Sequence, residues 1–310
     1  MSGAMRDIAY VRYQHPDLDL MRRFLTDFGL TEVDHGDGLL HMRCAFGYPS
    51  AYIAQQGPDS RLLSIGVVFD SEDSITAAAH WPEAVLRIDA PRFIGDGRVT
   101  VRAPEGYEFD LVAPLSGEPG AQPDLPADFN HGTRKTRLNA MRLTPPRPPV
   151  VLKLGHVALK VRDVPASMRW YCERFGLRVS DEIHEHTPDN VVTAFLRCDL
   201  GETHADHHVL ALAGSHETKA HHISFEVQGL DEVGAGGKWM EMQGHKRLWG
   251  VGRHLLGGQI FDYWRDPYGN NVEHYTDGDV FDASHPTARY EQSLETLYQW
   301  GPPLPADFAD

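Results

Sequence analysis

"LGHVALKVRDVPASMRWYCERFGL", residues 154–177, reads as a strand that runs into a helix. Alternation at its start puts Val157, Leu159 and Val161 on one face and His156, Ala158 and Lys160 on the other. Asp163 is a plausible N-cap and Pro165 suits the first helical turn. Val164, Met168, Tyr171, Cys172 and Phe175 fall on one helical stripe, and Gly176 marks the stop. The same order occurs near the start of the chain. "IAYVRYQHPDLDLMRRFLTDFGL", residues 8–30, alternates, turns through proline and enters a helical pattern that also ends in Phe-Gly-Leu.

The likeness continues downstream. "LSIGVVFDSEDSI" (residues 63–75) pairs with "HHISFEVQGLDEV" (221–233), and "RAPEGYEFDLVAP" (102–114) with "RDPYGNNVEHYTD" (265–277). The shared Pro-x-Gly is a turn before a strand. Each half therefore reads as strand, helix, then several strands, with part of that pattern recurring within the half. An internal duplication of α+β modules follows. The expected division is residues 1–114, a proline-rich linker over 115–150, a second half over 151–280, and a tail over 281–310. In the tail, Tyr290, Leu294, Leu297 and Tyr298 predict one short amphipathic helix that docks on the core or covers a pocket.

Bulk properties narrow the function. The 310 residues are enough for two domains with real cores, and 41% hydrophobic with 24% charged residues is a globular composition. A net charge of −15 argues against nucleic acid or an anionic membrane as partner. Cys44, Cys172 and Cys198 show no Cys-x-x-Cys spacing, and the first residues show no apolar signal-peptide core. Reduced thiols and a cytoplasmic setting are expected.

Chemistry concentrates in the second half. In "HHISFEV", Ile223, Phe225 and Val227 share an apolar face with His221, while His222, Ser224 and Glu226 lie opposite. In "NNVEHYT", Glu273 shares a face with Asn271 and Tyr275. Three strands thus each offer one metal-capable group: His156, His222 and Glu273. Two imidazoles and a carboxylate form the facial triad of non-haem Fe(II) oxygenases, which leaves positions open for substrate and O₂. Spacing alone does not bring the three together, and a lone histidine in a strand is more often structural.

The second half resembles the type I extradiol ring-cleaving dioxygenases of the vicinal oxygen chelate superfamily. The resemblance rests on "GHVALKV", "HHISFEV" and above all "GRHLLGGQIFDYWRDPYGNNVEHYTDGD" (residues 252–279). It implies an α+β fold of two similar domains, each built from paired βαβββ modules, and an enzyme that opens a catecholic ring beside its hydroxyl pair. It implies Fe(II), with Mn(II) as the other ion such a donor set accepts, held by His156, His222 and Glu273. It also implies catalytic positions for His208 in "ADHHVLAL", for His254 and for Tyr263. By the same token His222, not His221, is the ligand, and His221 points to the packing side or acts on the site from behind.

Without the resemblance, Tyr263 reads as a buried aromatic and His254 as a loop residue. Some relatives carry an acidic residue soon after the latter; here Leu255, Leu256, Gly257 and Gly258 follow, which leaves the support of His254 open. The first half has Tyr10, Ser64 and Asp110 at the triad positions, so it is expected to be a structural partner without a metal. Trp170, Phe195 and Trp249 either line a pocket or fill the core, and the core is the expected place. Small-molecule catechol and O₂ are the expected partners, and exposed sheet edges suggest a homo-oligomer. A different metal enzyme of this fold, such as an isomerase or epimerase, and a ligand-sequestering binding protein are the alternatives.

Overall fold

The structure is a computed structural model that describes residues 4–85, 99–114 and 129–308. Residues 115–128, the first part of the expected linker, lie outside the described residues. The first half runs β1 (Met5–His15), α1 (Leu18–Asp27), β2 (Thr31–Gly36), β3 (Leu39–Arg43), β4 (Tyr52–Gln56), β5 (Arg61–Phe69), α2 (Glu72–Ala78), β6 (Ala84–Val85), β7 (Val99–Arg102) and β8 (Glu108–Val112). The second begins with β9 (Val151–Val161), α3 (Val164–Phe175), β10 (Arg178–His184), β11 (Val191–Arg197), β12 (Ala205–Asp206), β13 (Leu210–Gly214) and β14 (Ala220–Val227). It continues through α4 (Leu230–Met242), β15 (Lys246–Arg253), β16 (Ile260–Arg265), β17 (Asn271–Thr276), β18 (Val280–Phe281) and β19 (Ala288–Glu291).

The two sheets repeat one topology. Their orders are β2-β3-β4-β1-β5-β8-β7-β6 and, read from the other end, β10-β11-β13-β9-β14-β17-β16-β15, with β19 added beyond β10. In both, the first long strand is parallel to one neighbour and antiparallel to the other. The Pro-x-Gly turns also correspond: Gly106 and Gly269 have φ of +98° and +87°, a left-handed geometry that favours glycine.

Local sequence accounts for the helices. Asp17 and Asp163 accept from Leu20 N and Ala166 N, both at 2.9 Å, and cap α1 and α3. Gly176, at φ +65°, ends α3. Buried Val164, Tyr171 and Phe175 follow the anticipated stripe, with Met168 and Cys172 packed beside them.

These two helices fill the seam between the sheets. Phe175 of α3 meets Phe69 and Phe109 of the first sheet edge-on, at 5.7 and 5.1 Å between ring centroids. Phe28, at the end of α1, meets Phe225 at 5.7 Å and stacks on His274 at 3.6 Å in the second sheet. Each such ring pair contributes about 0.5–1.5 kcal/mol beyond its buried area. One hydrophobic core consequently runs through both halves, and the first half braces the strands that carry the site.

The tail departs from expectation. It forms β19, parallel to β10, and a single 3₁₀ turn at Leu294–Thr296. Leu294 faces outward and Leu297 is only partly covered, at the rim of a cavity, so no apolar stripe drives a helix there. Backbone pairing takes its place: Gln292 N donates to His184 O, Gln299 N to Arg253 O, and Arg253 N to Trp300 O. No helix among the described residues is long and apolar enough to cross a membrane.

Candidate metal centre

Strands β17, β14 and β9 are neighbours, and their registers bring the three candidate ligands to one point. Ser224 of β14 pairs with His156 on one side and with Glu273 on the other. His222, two residues before Ser224, extends from the same face. His156 Nε2 and His222 Nε2 lie 3.2 Å apart, and Glu273 Oε2 lies 3.4 and 3.7 Å from them. Among the described residues this is the one group of three His, Cys, Asp or Glu donors close enough to share an ion.

The donor set fits a divalent first-row metal. Bonds of about 2.0–2.2 Å to nitrogen and oxygen put adjacent ligands about 3 Å apart on an octahedral ion, leaving the opposite face open. The protonation states also suit. Burial would raise the Glu273 carboxyl, but His156, His254 and the Ser224 hydroxyl outweigh it and hold it below the usual carboxylate range. Burial, then the neighbouring imidazoles of His221 and His156, pushes His222 well below the ordinary histidine value. An anionic carboxylate and a neutral imidazole are the ligating forms.

Around the triad lies a cavity of about 400 Å³ lined by His208, His254 and Tyr263, with Ala158, Lys160 and Phe195. His156, Ala158 and Lys160 thus share a face, as alternation in β9 predicts. Phe195, expected in the core, lies in the wall 5.1 Å from the His208 ring. Trp170 packs on the main core and Trp249 sits behind the cavity against Phe261 and Tyr263.

His208 lies beside His156, ring centroids 4.1 Å apart. It belongs to the bend between β12 and β13, not to a strand, so face parity does not separate it from His207. Both are buried and joined, Nδ1 to Nδ1, at 2.9 Å, and His207 Nε2 lies 2.7 Å from Asp181 Oδ2. The carboxylate accepts the His207 Nε2 hydrogen; His207 Nδ1 then accepts from His208 Nδ1, leaving His208 Nε2 unprotonated. Burial, then His156, pushes His208 well below the ordinary value, which keeps it neutral.

Tyr263 and His254 form a second polar pair. His254 Nδ1 is 2.7 Å from the Leu297 carbonyl, which can only accept, so its Nε2 accepts from the Tyr263 hydroxyl at 2.9 Å. The tail thereby supplies the support for His254 that the local sequence lacks. Burial lowers His254 and, with the charge of Glu273, holds the Tyr263 phenol well above its ordinary value.

His221 also reaches the site. The register of β14 against β9 shifts between Ala220 and His222, so strict alternation fails at this bulge. His221 lines the cavity and meets His222, Nδ1 to Nδ1, at 2.7 Å. Sequence reasoning found the six principal candidates and missed the Asp181–His207 pair and the tail residues Thr296, Leu297, Leu304 and Phe308 in the wall. The repeated His-His dipeptide was the available signal for the first; nothing in the sequence located Asp181.

The first half holds a different arrangement at the corresponding point. Asp110 accepts from Tyr10 at 3.0 Å, Ser64 at 2.6 Å and Thr100 at 2.7 Å. Three hydroxyls on a buried carboxylate form a closed hydrogen-bonded knot.

Residues 153–274 match the sequence model of the Glyoxalase/Bleomycin resistance protein/Dioxygenase superfamily. The second half carries a domain of this superfamily. Likeness to individual proteins extends over whole chains. Metapyrocatechase 2 of Cupriavidus necator is 28% identical over 98% of this chain and 92% of its own. Homoprotocatechuate 2,3-dioxygenase from Arthrobacter globiformis superposes with a TM-score of 0.78 over 99% of this chain and 91% of its own, at 20% identity. A Mn(II)-bound glyoxalase from Novosphingobium aromaticivorans gives 0.75 over 96% and 91%, also at 20% identity. These superpositions establish the two-sheet fold over the whole chain.

Proposed function

We propose that the protein is an extradiol dioxygenase that cleaves a catecholic ring beside its two hydroxyls, with a divalent metal held by His156, His222 and Glu273. Fe(II) is the proposed ion, and Mn(II) is the alternative. Bound there, the metal supplies a template on which catechol and O₂ meet, with open positions for both. The observation that carries the reading is the convergence on the triad of His208 and a Tyr263–His254 pair in one cavity.

Each side chain has a task that its environment supports. A chelating catechol must release its hydroxyl protons, and His208 Nε2 is the unprotonated nitrogen available to take one. The same atom returns a proton as the ring opens. Tyr263 keeps its hydrogen, which rests on His254 Nε2 until a substrate oxygen arrives, and then turns it from that nitrogen to the substrate oxygen. Phe195 and Ala158 supply apolar walls for an aromatic ring. An isomerase or epimerase on this scaffold would use the metal without requiring all three of these groups.

The test is anaerobically purified, Fe(II)-loaded protein offered a panel of catechols in an oxygen electrode. Oxygen uptake with a yellow ring-opened product is expected from at least one. No uptake with any of them, at full iron content, overturns the reading.

A further inference from the structure

The Nδ1···Nδ1 contact of 2.7 Å between His221 and His222 holds one hydrogen between two ring nitrogens. If His222 presents its Nε2 lone pair to a metal, that hydrogen belongs to His222 Nδ1. His221 Nδ1 must then accept, and a neutral His221 carries its own hydrogen on Nε2. The backbone of Phe308 hydrogen-bonds the His221 ring, and an acceptor there is what an Nε2 hydrogen requires. The Phe308 ring also packs against His221 at 4.9 Å, Trp249 at 4.8 Å and Tyr263 at 5.0 Å. Beside it, Arg265 Nη2 donates to Asp307 O at 2.6 Å, and Trp249 Nε1 to Pro302 O at 2.9 Å.

We propose that His221 is a positioning residue for the metal ligand His222, that the docked C-terminal tail fixes it through Phe308, and that tail docking and metal binding therefore strengthen each other. The bulge that turns His221 into the cavity makes the link, because regular alternation would have sent its ring to the opposite face. An undocked tail leaves the His221 ring free to turn away from His222 and to carry its hydrogen on Nδ1, and both arrangements deny His222 its acceptor. The coupling must be reciprocal. The proposal rests on the reading of His156, His222 and Glu273 as the metal site.

Mn(II) alone is the probe, with its affinity measured by titration calorimetry on the full protein. His221→Phe and removal of residues 304–310 should each weaken Mn(II) binding by about 10–100-fold, the usual effect of losing a ligand's hydrogen-bond partner. Combined, they should cost no more than either alone, since both break one link. His221→Asn, whose Oδ1 still accepts from His222 Nδ1, should hold Mn(II) nearly as well as the parent and be indifferent to the truncation. Added Mn(II) should slow proteolytic cleavage of the tail in the parent and not in His221→Phe. Unchanged affinity in His221→Phe, equal losses for Phe and Asn, or losses that multiply in the double variant would overturn the proposal. Glu273→Gln separates the two levels: if it binds Mn(II) as tightly as the parent, the metal-site reading itself fails and the coupling falls with it.

Discussion

At the scale of single residues, the site divides by whether the backbone beneath it is regular. His156, His222 and Glu273 were legible because they sit in paired strands where alternation holds, and their separations of 3.2–3.7 Å follow from the register of β9, β14 and β17. His207 and His208 were not separable by parity, because they occupy a bend, and their distinction comes from Asp181, 26 positions before His207. This order makes a graded prediction. His208→Phe should keep metal and catechol bound and slow single-turnover ring opening by about 10²–10⁴-fold. His207→Phe and Asp181→Asn should each slow it less, about 10-fold, with KM little changed, because they release the tautomer of His208 without removing its ring. Equal rates for parent and His208→Phe would remove His208 from the chemistry. Asp110→Asn should leave metal content untouched, since its carboxylate is already held by Tyr10, Ser64 and Thr100; loss of bound metal would show a second site in the first half.

At the scale of elements, caps and turns were readable and the tail was not. Asp163 and Gly176 carry their roles in their chemistry, so α3 is bounded by local sequence alone. Asp163→Ala should lower stability by about 1 kcal/mol, read as an earlier urea midpoint with an unchanged slope. An unchanged midpoint would mean that the cap hydrogen bond to Ala166 is replaced by water at no cost. The tail showed a helical spacing of Leu294, Leu297 and Tyr298, yet its backbone pairs with His184 and Arg253 from other elements. Such pairing depends on where distant strands end, which one segment cannot reveal. The bulge at His221 escaped for the same reason, being a property of two strands together.

At the scale of the whole molecule, the duplication was legible because both halves keep the same order of apolar and turn residues. The seam was not, because Phe28, Phe69, Phe109 and Phe175 look like ordinary core until the sheets are apposed. One seam residue gives a pH prediction. His15 is fully buried, bonded to Tyr52 and Ser60 and stacked on Tyr268 of the second half, and burial lowers its pKa to about 4. Its folded pKa is depressed, so the unfolded chain binds the proton first. Stability from this group is complete above about pH 6.5, falls as pH drops towards 4, and amounts to about 3 kcal/mol at one proton's slope. The urea midpoint of metal-free protein should therefore fall from pH 7 to pH 5, and fall less in His15→Gln. A parent midpoint flat over that range would contradict it.

The central claim is that both atoms of O₂ enter a catecholic ring opened beside its hydroxyl pair at the His156–His222–Glu273 site. The direct measurement is mass spectrometry of the product formed by Fe(II)-loaded protein from a turned-over catechol under ¹⁸O₂, with Glu273→Gln run in parallel. The account predicts a semialdehyde product carrying two labelled oxygens, and none from Glu273→Gln. A product with one label or none, a dicarboxylic product from cleavage between the hydroxyls, or full turnover by Glu273→Gln would contradict it.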